Sequence, residues 1–348
     1  MASKRAGLEV VTPNPYNAGT PFSALTSDLT AGNLVYVRNH FPVPEMDPDS
    51  WKLIVHGSLE ESLSLSLAEI QSRPQKTVTM TLECAGNGRT SMEPRPGGTP
   101  WDYNAVSIVE FTGTPLSSLL EEVGIQEAAR EVVFIGSDRG KVSQGREVAY
   151  TRSLPKEVAM KPDILLAWEM NGHPLSAEHG FPLRLVVPGW YGMASVKWLS
   201  EISVVEEPFK GFFQSEHYVY AEEEGTAEGE PVRQIRVRSL ILKPETGTEY
   251  ESEVIEIAGI AYSGEGEITK VELSFDADNS WEPARLEELS STYAAQRWSF
   301  AWVLDQPGVY NILSRATDSV GNTQPIEQRW NRLGYGNNGI QEVIITIE

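Results

Sequence analysis

The stretch TVTMTLECAGNGRT, residues 77–90, decides how this chain is read. Thr77–Leu82 alternates and is β-rich, which predicts a strand. The strand delivers Cys84 into a turn where Gly86 and Gly88 allow tight bends and close backbone approach. Arg89 follows five residues on, suited to lowering a thiol pKa or holding an anion. Cys84 is the single cysteine among 348 residues. That excludes an intrachain disulfide, a tetrathiolate zinc site, a cysteine-ligated iron–sulfur cluster and a CxxCH haem attachment. These residues alone leave three readings of the thiol open. It is a small buried core group, a nucleophile served by His40 or His179, or a thiolate ligand to a soft-binding metal whose other ligands come from a cofactor.

Upstream, residues 1–30 are rich in Pro, Asn, Thr and Ser and predict an irregular arm. A short strand over Leu34–Val37 then runs into a Pro-broken loop, which sets Arg38 and His40 at a strand end, able to hold an anion. Further strands are predicted at Trp51–Gly57, Val132–Ile135, Ile164–Met170 and Leu183–Val187, and a helix at Leu116–Val123. Downstream, EHGFPLRLVVPGWYGMASVKW (residues 178–198) sets His179, Arg184 and Lys197 along one strand–turn–strand unit, with Gly180, Gly189 and Gly192 keeping the backbone open. Two cations, an imidazole and open N–H groups suit a polyanionic ligand with a phosphate tail. The bland alternative is a polar set on a buried β unit.

The net charge is −21, which disfavours nucleic acid and acidic lipid and suits solubility or a basic partner. No apolar stretch approaches the ~18 residues of a membrane helix. Residues 1–7 are basic, but no apolar signal core follows. The expectation is a cytoplasmic protein as written, or a periplasmic one if an export signal has been removed. Residues 221–230 (AEEEGTAEGE) predict a solvated linker. Beyond Val232 the helical signal almost vanishes, and six or seven short alternating strands suggest an antiparallel sandwich of immunoglobulin type. The fold class is α+β: a mixed α/β domain over residues 1–225, then the sandwich over residues 232–348.

YVRNHFPVP, CAGNGR and HGFPLRLVVPGWYGMASVKW together resemble, in order and approximate spacing, the sulfite oxidase family of molybdenum enzymes. WNRLGYGNNG (residues 330–339) resembles that family's closing motif, and the sandwich its dimerisation domain. The resemblance implies molybdenum and molybdopterin as cofactors, with Cys84 as the metal's protein ligand. Tyr36, Val37, Arg38, Asn39 and His40 match one pterin-binding segment; His179, Arg184, Ser195, Val196 and Lys197 match a second. Arg38 and Arg89 match cations facing the substrate, Trp101 an aromatic wall, and Arg332 a cation from the C-terminal domain. Tyr218 falls where the family has an active-site tyrosine, with Tyr220 close by. A cofactor-contacting Asp of the family aligns near Gly136, leaving Asp138 as an alternative. The implied reaction is sulfite plus water to sulfate, two protons and two electrons. Electrons would leave to an external acceptor, with a c-type cytochrome among the candidates. A homodimer is also implied. The rivals are a nitrate-reductase-like or sulfoxide oxidoreductase on the same scaffold, and a cofactor-free binding scaffold.

Overall fold

The computed structural model describes residues 7–142, 145–221, 229–251, 254–276, 279–303 and 306–348. The chain opens with a hairpin, β1 (Glu9–Pro13) and β2 (Tyr16–Gly19), where the sequence predicts an irregular arm. Pro13 and Pro15 at its turn hide the alternation. Its Asn17 side chain is buried and accepts from the Asn39 amide at 2.7 Å. The expected strand at Leu34–Val37 reduces to an isolated bridge between Val37 and Ala18. This segment is tied down by the Asn17 side chain instead of a ladder, so residues 36–40 are fixed without regular structure.

Two five-stranded sheets build the first half among the described residues. Their strands are β3 (Leu53–Gly57), β4 (Leu63–Leu65), β5 (Lys76–Glu83), β6 (Val106–Pro115), β7 (Glu131–Lys141), β8 (Glu147–Pro155), β9 (Leu165–Met170), β10 (His173–Pro174), β11 (Arg184–Val186) and β12 (Leu199–Val205). One sheet runs β10–β9–β6–β5 with β11 also on β9; the other runs β4–β3–β12–β7–β8. β6 is buried along most of its length, as a strand covered on both faces must be. The helices α1 (Leu67–Gln71), α2 (Leu116–Glu122) and α3 (Lys156–Ala159) are short, so the α+β domain is mostly sheet. Among the described residues no helix is long and apolar enough to cross a membrane.

The expected linker lies largely outside the described residues. Its flanks, β13 (Val219–Tyr220) and β14 (Glu230–Pro231), pair antiparallel. The C-terminal part holds β15 (Arg238–Lys243), β16 (Glu249–Tyr250), β17 (Val254–Tyr262), β18 (Ile268–Ser274), β19 (Glu282–Pro283), β20 (Arg285–Leu286), β21 (Gln296–Val303), β22 (Gly308–Asp318) and β23 (Glu342–Ile347). They form one sheet in the order β15–β17–β21–β20 and another in the order β16–β23–β22–β18–β19. Ile241, Ile257 and Trp298 from the first meet Val271, Ile312 and Ile345 from the second in one buried cluster, the immunoglobulin-like sandwich. Leu240, Ile260 and Tyr262 instead join the core of the first half beside Tyr191 and Met193. The two halves therefore share apolar packing.

Candidate active site

β5 runs straight into the thiol. Cys84 donates its backbone N–H to Ala105 O at 2.9 Å and accepts from Asn87 N at 2.9 Å, which closes the turn. Gly88 sits at φ +77°, in the left-handed region. A Cβ on Gly86 would stand 2.5 Å from the Arg89 guanidinium, so a side chain here would displace that arginine.

Cys84 opens into a cleft of about 630 Å³ with its open mouth counted. The cleft brings together Tyr36, Arg38, Asn39, His40, Cys84, His179, Arg184, Ser195, Lys197 and Tyr218 from the two matched segments and the tyrosine. Each is held. Lys197 Nζ donates to Asn39 Oδ1, and to Glu178 O at 2.7 Å. Arg184 donates to His179 O and Ser195 O at 3.1 Å each. His179 is fixed by Ser176 Oγ at 2.9 Å and contacts Tyr36 O at 3.3 Å. Tyr218 Oη lies 2.7 Å from His40 Nε2. Arg38 folds over Asn39 O and the His40 ring.

Burial and like charge dominate the electrostatics. Desolvation pushes Arg184 down to about 10 and lowers Lys197 well below its usual value, with Arg184 adding repulsion. Burial and then Arg38 push His40 well below the normal histidine range. Burial lifts Tyr218 to about 12, with Arg38 pulling the other way. Among the described residues, no carboxylate lies within 4 Å of the guanidinium groups of Arg38, Arg89, Arg184 or Arg332. Arg89 and Arg184 are buried with carbonyl partners but no carboxylate, a setting suited to an anionic ligand.

Other expected residues stand outside the cleft lining. Val37 and Val196 are core side chains, and the N–H and C=O of each bond within the protein. Trp101 is fully buried and meets Tyr36 edge-on at 6.3 Å. Arg89 donates to Leu333 O at 2.9 Å and Thr99 O at 2.6 Å and lies 5.3 Å over the Tyr335 ring. Arg332 donates to Glu216 O at 3.3 Å, with its buried Nε lacking a partner. Arg38, Arg89 and Arg332 converge electrostatically on His217, which burial and these charges push down to about 3. Tyr220 turns away to stack under Arg236 at 4.3 Å, so of this pair Tyr218 is the one that lines the cleft.

The sequence reading did not single out His217, Tyr150 or Tyr335. His217 stacks on Phe212 and meets His40, Tyr218 and Tyr335 edge-on. Its signal was a histidine in a polar run directly before the tyrosine. Asp138, left open from sequence, lines the cleft; burial raises it to about 6, and its buried Oδ1 has no partner. An orphaned acceptor, a thiol at a strand end and uncompensated cations fit a bound pterin phosphate carrying a thiolate-ligated metal.

Residues 40–213 match the family described as oxidoreductase molybdopterin binding domain, and residues 230–348 match the Mo-co oxidoreductase dimerisation domain. The chain is 34% identical to a sulfite oxidase of Arabidopsis thaliana, over 99% of this chain and 95% of the relative. It is 34% identical to the mitochondrial sulfite oxidase of Homo sapiens, over 99% of this chain but 66% of that longer protein. The crystal structure of the sulfane dehydrogenase SoxCD from Paracoccus pantotrophus superposes with a TM-score of 0.84 at 27% identity, covering 97% of this chain and 88% of that one.

Proposed function

The chain belongs to the sulfite oxidase family of molybdopterin-dependent oxidoreductases, and on that footing we propose that it oxidises sulfite to sulfate and passes the electrons to an external acceptor. The observation that carries this reading is the opening of the single thiol, Cys84, into a cleft shared with Arg38 and Arg184, whose guanidinium groups have no carboxylate within 4 Å among the described residues. When bound, the molybdenum cofactor supplies oxygen-atom transfer and takes up two electrons.

The protein's own residues do the rest. Cys84 would hold the metal. Arg184, Lys197, His179 and Ser195 would hold the phosphate end of the pterin, with the Asp138 carboxylate accepting hydrogen bonds from its ring. Sulfite is a small dianion, so Arg38 would orient it and offset its charge, with Arg89 and Arg332 adding positive potential. The Tyr218–His40 hydrogen bond fixes the phenol in the cleft. The sandwich would join two chains through a self-complementary face. A net charge of −21 suits a basic acceptor such as a cytochrome.

The test is sulfite-dependent reduction of ferricyanide and of cytochrome c by molybdenum-loaded protein, with metal analysis in parallel. Cys84→Ser should keep the fold and lose turnover. Fully loaded protein that leaves sulfite untouched would overturn the reading.

A further inference from the structure

Arg152, on β8, is buried to within 1% and stands outside the cleft lining. It donates to Phe213 O, and to Val232 O at 3.1 Å, one carbonyl on each side of the inter-domain crossing. Its guanidinium carbon lies 5.7 Å from the centre of the Tyr218 ring, so it backs the tyrosine whose hydroxyl meets His40 in the cleft. Its Nε is buried without a partner. Among the described residues no carboxylate comes within 4 Å of it. The groups that face it most strongly are Tyr150, Tyr218, Tyr335 and Arg233, none of which supplies a negative charge at neutral pH.

Two carbonyl contacts alone do not require a permanent charge. A neutral amide could serve a carbonyl without burying a cation, which is costly when unpaired. The charge therefore has a role that the hydrogen bonds do not explain.

We propose that Arg152 is a positioning residue that loads the anion pocket with positive potential from behind Tyr218, without touching the substrate, and thereby favours a doubly charged oxyanion over a singly charged one. The proposal rests on the sulfite reading of the same cleft. The energy between a fixed charge and a ligand scales with the ligand's charge. Removing the guanidinium charge thus weakens a dianion by the square of the factor it costs a monoanion of the same shape. A purely structural loss weakens both equally.

Sulfate and perchlorate are tetrahedral and similar in size, and they differ in charge. The experiment measures the dissociation constants of both on the oxidised holoenzyme by calorimetry, for wild type, Arg152→Gln and Arg152→Lys, with unfolding midpoints as a fold control. Arg152→Gln should weaken sulfate by about tenfold and perchlorate by about threefold. Arg152→Lys should keep the wild-type ratio of the two constants. Equal weakening of both anions by Arg152→Gln, or no change in either, overturns the proposal. If the glutamine variant does not fold, Arg152→Met takes its place and is judged by the same ratio of the two constants. Failure of the sulfite reading looks different, because wild-type holoenzyme would then neither oxidise sulfite nor bind sulfate in competition with it.

Discussion

Replacing Arg238 by methionine should destabilise the protein by about 3 kcal/mol at pH 7, and by much less in mild acid. Glu83, the residue before Cys84, is fully buried, and its Oε1 lies 3.2 Å from Arg238 Nε. The same oxygen accepts from Tyr262 Oη at 3.0 Å and Asn87 Nδ2 at 2.9 Å, while Oε2 is buried without a partner. Arg238 is held above its ordinary value by Glu83 despite desolvation, whereas burial raises Glu83 in spite of Arg238. The carboxylate is thus the strained member of the pair, and the cation does most to keep it ionised, with hydrogen bonds from Asn87 and Tyr262 helping.

Without Arg238 the carboxyl must take a proton. At pH 7, against an ordinary value of 4.5, this costs about 1.36 × 2.5 ≈ 3.4 kcal/mol, close to the 3–5 kcal/mol typical of a broken buried pair. The sign follows from linkage. A carboxyl raised in the folded state loses stability as pH rises above its unfolded value, so the deficit shrinks to about 1.4 kcal/mol at pH 5.5. Glu83→Gln added to Arg238→Met should recover most of the loss, because a neutral amide oxygen still accepts from Tyr262 and Asn87. Urea unfolding followed by tryptophan fluorescence, at fixed protein concentration and at both pH values, measures this. A loss below about 1 kcal/mol, a loss independent of pH, or a double variant no better than the single one refutes the reasoning.

Arg38→Gln should raise the Michaelis constant for sulfite about tenfold or more, since one charge-assisted contact contributes roughly 1.5–3 kcal/mol and a decade is 1.4 kcal/mol; steady-state kinetics with an unchanged constant would place Arg38 outside the substrate pocket. His217 is held at about 3 against an ordinary 6.5, so unfolding takes up a proton below about pH 6.5 and stability falls as pH drops towards 3, by up to about 1.4 kcal/mol per unit. His217→Gln should flatten that acid limb in urea midpoints taken from pH 6.5 to 4.5, and an unchanged slope counts against it. Reduction of a basic cytochrome should slow steeply between 0.01 and 0.1 M salt, where the Debye length falls from about 30 to about 10 Å. Stopped-flow reduction by sulfite serves as the control, and a flat salt dependence there and with the cytochrome removes the steering argument.

The turn at Cys84 was legible because its chemistry is local: a β-rich strand, one thiol and two glycines in a row of residues. The cation set of residues 178–198 was legible for the same reason. The sandwich strands showed through their alternation and punctuation. What stayed hidden depends on contacts distant in sequence. The hairpin of Glu9–Gly19 does its work through Asn17, whose partner Asn39 lies 22 residues on. Strand Glu147–Pro155 reads as polar because Arg152 sits in its middle, and that arginine makes sense only beside Tyr218. Tyr220 and Tyr218 are separated by the strand period of two. Only packing against Arg236 shows which one faces the cleft.

The C-terminal half grips the thiol turn at several points: Gly336 N donates to Ala85 O at 2.7 Å, Asn337 Nδ2 to Gly88 O at 2.7 Å, and Arg238 and Tyr262 hold Glu83. During synthesis, the residues that brace the proposed metal ligand, Cys84, leave the ribosome long after the turn itself. The first half alone, released into solvent, would carry Cys84 on a turn missing these braces. On the proposed assignment, cofactor insertion should then follow synthesis of the sandwich. A truncated chain should fail to retain the metal even where its own sheets have formed, and swapping sandwiches between relatives would exchange part of the active site along with the assembly surface.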